Sequence, residues 1–169
     1  MELPKADLGR RFVAAVIDGV IAGILSSIIP FVGFILGAAY TLTKDAIVFE
    51  LLKNNDFKNK SIGKKLMNLE VALVEGEGQG RSKGYVDWMV SVRRNIPLAI
   101  GTIIMIIPVI GWIVGAIVGA LLGIIEIILV FTQPGARRIG DKIGNTQVID
   151  YVPAAATAGQ DNVEPPPSI

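Results

Sequence analysis

Six ionisable side chains lie in or beside stretches apolar enough for a lipid bilayer: Arg11, Asp18, Lys44, Asp45, Glu50 and Glu126. A charge at mid-membrane costs roughly 2.5–3.5 kcal/mol on insertion scales, so such residues are functional candidates first. Carboxylates in that setting can lose and regain protons or bind a cation, the chemistry of ion or proton exchange. They can equally fix helix register by pairing with Arg93, Arg94 or Lys44, or recognise lipid headgroups or a partner. The sequence leaves these three roles open. It contains no histidine and no cysteine, which removes imidazole shuttles, thiol chemistry and ordinary zinc or haem ligation. No nucleophile–base pair stands out either, so the expectation is a non-enzymatic protein with no metal and no cofactor.

Arg11 and Asp18 are seven residues apart, on one helix face and about 10 Å apart along the axis. Helical side chains lean toward the N-terminus, so Arg11 points away from Asp18. Each is expected to address a neighbouring helix or the interface instead of the other.

The elements that must position these groups follow from composition. Half of the 169 residues are hydrophobic (51%), 18% are charged, and mean hydropathy is +0.57. A soluble domain of this size has too little interior for that load, whereas lipid accepts apolar surface on the outside. Net charge is +1, which gives no bias toward nucleic acid. The expected class is an all-α membrane protein. The first apolar stretch, from Phe12 to about Phe49, divides at Pro30 and Gly33 into helices near 12–29 and 32–52. The second divides at Pro108 and Gly111 into helices near 88–107 and 110–132. The N-terminus runs into the first helix without a small-residue cleavage site and reads as a retained segment.

Basic residues cluster before the first helix, after the last, and between the two stretches, while the turns at Pro30 and Pro108 carry no charge. The positive-inside rule then puts both termini and the middle segment in the cytoplasm, which in a bacterium means the inner membrane. Four crossings fit this best; two long helices or two re-entrant hairpins are the competing readings.

The chain also repeats itself. Residues 28–38, IIPFVGFILGA, match 106–116, IIPVIGWIVGA, at seven of eleven positions, and 61–71, SIGKKLMNLEV, match 138–148, RIGDKIGNTQV, at five. Each unit reads as a helical hairpin followed by an interfacial IGxKxxN segment, the two being parallel repeats. Leu69–Val74 alternates weakly and reads as a short strand before an exposed EGEGQG turn at 75–80. Lys64, Lys65, Trp88, Arg93 and Arg94 read as interfacial or headgroup-facing residues. The Ala/Pro-rich residues 153–169 read as an extended or disordered tail after a domain spanning 1–152.

Gly111, Gly115, Gly119 and Gly123 recur every four residues on the last helix. Such a ladder clears a groove for another backbone, either within the bundle or on another subunit. Gly19 with Gly23 and Gly33 with Gly37 are shorter versions.

These parts together resemble the RDD family of small membrane proteins, named for one arginine and two aspartates. Residues 10–18, RRFVAAVID, resemble its first helix, with Arg11 as the arginine and Asp18 as the first aspartate. Residues 60–66, KSIGKKL, with Val71 resemble its middle signature, and Arg138–Asp141 with Thr146 and Val148 its closing one, Asp141 being the second aspartate. Arg94-Asn95 also fits, and the similarity covers about residues 9–150. The glycine usual near Asn68, and the Ala-Gly usual near Gly144-Asn145, are absent, so the interfacial turns are expected to differ. The resemblance implies cation/proton exchange for some members and an accessory role beside other membrane proteins for others. The expectation adopted is an accessory subunit bound to the lipid bilayer and to other membrane proteins or to itself. The runner-up is a small oligomeric transporter using Asp18, Asp45 and Glu126.

Overall fold

The computed structural model describes residues 3, 5–29, 32–74 and 85–151. The Pro30 turn, the 75–80 turn and the tail after Pro153 fall outside them. The first helix, α1 (Leu8–Ser27), starts four residues earlier than its apolar run because Asp7 caps it, accepting the Arg10 N–H at 2.8 Å. Its inward face carries Arg11, Ala14 and Asp18, a helical spacing that points two charges at the protein. Packed antiparallel on it is α2 (Val32–Thr43). A Cβ at Gly37 would sit 2.9 Å from the Ala22 carbonyl oxygen, and one at Gly33 3.1 Å from that of Leu25. Only glycine allows these two backbones to meet.

The single helix expected over 32–52 is broken. The chain turns at Lys44–Ala46 and resumes as α3 (Ile47–Leu52). The cause lies on α5 (Trp88–Ile104). Ser91 donates to the freed Leu42 carbonyl at 2.9 Å, Asn95 reaches the same oxygen at 3.4 Å, and the Asp45 N–H donates to Ser91 Oγ at 3.3 Å. Ending α2 there leaves backbone groups that α5 satisfies, and it turns both charged side chains inward. After α3 the chain passes through a 3-10 turn (Asn55–Phe57) into α4 (Ile62–Leu66) and β1 (Leu69–Leu73).

The second half begins with α5, capped by Asp87, and continues through a turn containing Pro108 into α6 (Ile110–Thr132). Among the described helices α6 alone is long and apolar enough to cross a bilayer unaided, with a mean hydropathy of 2.8 over its best window. Ile113, Ile117, Leu121, Ile124 and Ile128 are each more than half exposed along its outer face. A 3-10 turn (Pro134–Ala136), α7 (Ile139–Ile143) and β2 (Thr146–Asp150) close the fold.

The fold is mostly helical, but what was read as a loop region is a built layer. Here α4 packs on α1, α7 packs on α5, and β1 pairs antiparallel with β2, placing Leu69 opposite Asp150, Val71 opposite Val148 and Leu73 opposite Thr146. The second strand is an addition to the all-α expectation. Leu69, Val71 and Ala72 are fully buried, and Leu69 with Val148, Ala6 and Ala14 forms the small apolar core beneath the helices. The bundle is α1 on α2, α2 on α5 and α5 on α6, with no comparable packing between α1 and α6.

A buried charge network at the base of the bundle

α1 carries two of the network's anchors and sends them to different places. Asp18, 1% exposed, accepts from Ser61 Oγ at 2.7 Å, from the Gly63 N–H at 2.9 Å and from the Tyr40 hydroxyl at 3.4 Å. Lys44 Nζ lies 3.6 Å and Lys64 Nζ 3.9 Å from the same carboxylate. Arg11 instead donates across the molecule to Asp141 Oδ2 at 3.2 Å and to the Ala136 carbonyl at 2.6 Å. The two α1 residues therefore do not pair with each other, as the direction of helical side chains requires. The α4 turn comes this close because Gly63 lacks a side chain: its Cβ would overlap the Ala14 carbonyl.

Asp141, fully buried on α7, is held by three guanidiniums. Arg94 Nη2 donates at 2.6 Å, Arg11 Nη2 at 3.2 Å and Arg138 Nε at 3.3 Å, and the Arg138 N–H adds a long bond at 3.4 Å. Burial alone would push this carboxyl up; Arg94, Arg138 and Arg11 outweigh it and hold it down at about 2. Asp45, also fully buried, accepts from Lys64 Nζ at 2.7 Å and Asn95 Nδ2 at 3.0 Å, with Arg94 Nε at 3.4 Å. Glu126 faces Arg138 Nε at 3.5 Å and the Gly140 N–H at 3.4 Å. Arg94 thus joins Asp45 of the first half to Asp141 of the second.

The structure redistributes several residues singled out from the sequence. Lys64 and Arg94, grouped with interfacial residues, are buried in the network, at 7% and 0% exposure. Lys65 pairs with Asp56 at 2.8 Å on the outside, while Arg93 and Trp88 are exposed and fit an interfacial position. Glu50 stays outside the network and pairs with Lys53 at 2.7 Å. The glycine ladder divides in two. A Cβ at Gly115 would lie 2.7 Å from Met105 Cγ, Gly119 faces Gly101 Cα at 3.4 Å, and Gly111 is closed by Ile107 Cβ at 2.8 Å. These three face α5 within the hairpin, Gly111 and Gly115 buried and Gly119 half-buried. Gly123, like Gly19 and Gly23 on α1, has nothing within 4 Å.

Those open glycines border a cavity of about 630 Å³ between α1, α5 and α6. Arg11, Lys44, Lys64, Arg94 and Arg138 line it together with Asp18 and Glu126. Sequence reasoning missed Tyr40, Ser61, Asn95 and, as network members, Lys64 and Arg138. One signal was present: Ser61 and Arg138 each stand immediately before a recurring Ile-Gly, 77 residues apart. Ser61 donates to Asp18, and Arg138 donates to Asn95 at 3.0 Å.

No curated protein and no solved structure gave a significant match to the chain. The sequence profile of the RDD family matches residues 5–145, most of the chain and all of the network. With its arginine and second aspartate paired across the molecule and its first aspartate clasped by the middle signature, this chain is a membrane protein that belongs to the RDD family.

Proposed function

We propose that the chain is a non-enzymatic accessory subunit of a larger membrane complex. It spans a bacterial inner membrane four times, with both termini cytoplasmic and its charge network at the cytoplasmic end. The observation that carries this reading is the state of the carboxylates. Each of Asp18, Asp45, Glu126 and Asp141 is engaged by at least one lysine or arginine. A coupling carboxylate must exchange its proton or cation; these four hold fixed internal partners, which suits a scaffold. The long apolar face of α6 then meets lipid or a neighbouring subunit.

A two-unit architecture supports the parallel topology. Residues in the same relative place behave alike: Asn59 and Ala136, and Asn68 and Asn145, all have positive φ. Gly33 and Gly37 close the first hairpin as Gly111 and Gly115 close the second. The sheet pairs Val71 with Val148, its counterpart 77 residues on. A two-fold axis through that pair, along the membrane normal, relates the halves. Transport remains the second reading, because Asp18 and Glu126 also line the cavity. Purification of the tagged chain from its native membrane in mild detergent tests the proposal. A stoichiometric partner complex is expected; a chain recovered alone or only as a homo-oligomer contradicts it.

A further inference from the structure

The cavity is chemically divided. At its charged end the network sets five cations (Arg11, Lys44, Lys64, Arg94, Arg138) against four carboxylates (Asp18, Asp45, Glu126, Asp141). One positive charge is left over in a region nearly closed to water. Arg94 is fully buried and lines the cavity, and its Nη1 and Nε have no hydrogen-bond partner among the described residues; Glu126 Oε2, also in the lining, lacks one too and has only its ion pair with Arg138. A buried donor without an acceptor is costly, the more so when charged, so one is expected to be satisfied in the working protein. Away from that end the walls are mostly apolar, including Ala22, Phe34, Leu98 and Met105, with the hydroxyls of Ser26, Ser27 and Thr102 among them.

The shape is elongated and open at one side. Lining residues run along α1 from Leu8 to Ser27, about 28 Å at the helical rise. Gly19, Gly23 and Gly123 leave open space on facing walls, and α1 and α6 are not packed together, so the cavity opens sideways. Its volume lies in the range of ordinary ligand sites, about 300–1,000 Å³.

We propose that the slot between α1 and α6 binds one membrane lipid with an anionic phosphate headgroup. The phosphate sits against Arg94 and its neighbouring cations, and an acyl chain lies along the glycine-opened walls. Asp18 and Glu126 do not repel it, because Lys44 and Arg138 already neutralise them. The inference rests on the membrane placement proposed above. Its test is read in micelles and does not depend on topology or on any partner protein.

The full chain, delipidated in detergent, is melted with added phosphatidylglycerol, with phosphatidylcholine of the same chains, and with glycerol phosphate. Phosphatidylglycerol at a hundredfold excess over Kd is expected to raise Tm by about 5 °C or more, and the other two much less. The variant Gly23→Leu with Gly123→Leu fills open space without touching the charges. It is expected to melt like the parent alone and to lose the lipid-dependent shift. Equal shifts from phosphatidylcholine or from glycerol phosphate would overturn the proposal, as would a full shift in the filled variant. So would Gly23→Cys, in this cysteine-free chain, crosslinking to another protein in the native membrane, which would put a partner helix in the slot.

Discussion

Replacing Arg94 with methionine is expected to lower the unfolding free energy by about 3–5 kcal/mol, the loss typical of removing one member of a buried charge pair. Methionine keeps much of the side-chain volume, so the effect reports charge and hydrogen bonding more than packing. Arg94 reaches Asp141 at 2.6 Å with Nη2 and Asp45 at 3.4 Å with Nε. Without it both carboxylates stay buried with one cation fewer, and the two halves of the chain lose their direct ionic tie. Lysine at this position should recover only part of the loss, because a compact ammonium cannot reach Asp141 and stay beside Asp45 as the extended guanidinium does. The contrast is Arg10, whose pair with Asp150 at 3.4 Å is about half exposed. Arg10→Ala should cost less than about 1 kcal/mol. Denaturation of the purified chain in mixed micelles measures all three; an Arg94→Met loss no larger than that of Arg10→Ala would remove Arg94 from the centre of the account.

The second large effect is steric. Gly140→Ala should cost about 3 kcal/mol, the upper end of overpacking losses, because a Cβ there overlaps the Arg94 carbonyl group and stands 2.9 Å from its carbon. The obstacle is α5 backbone, which cannot swing aside as a side chain can. Displacing α7 would also draw Asp141 from Arg94 and the Gly140 N–H from Glu126, so steric and electrostatic losses add. Gly63→Ala should behave alike against Ala14. Gly23→Ala, with nothing within 4 Å, should stay within about 0.5 kcal/mol of the parent. Equal melting curves for Gly140→Ala and Gly23→Ala would show that α7 does not seat on α5 as described.

The same two glycines show what the sequence revealed. Ile-Gly-x-Lys recurred at 62–65 and 139–142, and both copies fold into one short helix ended by an asparagine with positive φ. The β2 strand was legible by the same route: Leu69–Val74 read as a strand, and the repeat offset carries that reading to Thr146–Asp150. Thr146 and Gln147 hid it because they are polar, yet both are buried. The break in the second helix was not legible. Hydropathy runs through Lys44-Asp45 to Leu52, and the groups that end α2, Ser91 and Asn95, lie some 50 residues away in sequence. Distance also concealed the network. Arg11 and Asp141 are 130 positions apart, and charge patterning reports only on neighbours along a helix. Asp18 and Glu126 stood out because isolated carboxylates in apolar helices are costly. Of their partners Lys44 stood out with them, whereas Ser61, Lys64 and Arg138 sit in basic segments that look interfacial.

The central claim is that the family's charges are fixed internal partners and not exchange sites. The most direct measurement is ion flux in vesicles reconstituted with the purified chain, under imposed proton and sodium gradients, beside protein-free vesicles and the Asp18→Asn variant. Flux indistinguishable from protein-free vesicles is expected for both proteins, with Asp18→Asn marked instead by a lower Tm from the lost Lys44 and Lys64 pairs. Gradient-driven flux in the parent that Asp18→Asn abolishes, at equal amounts of inserted protein, would contradict it and make Asp18 a coupling site.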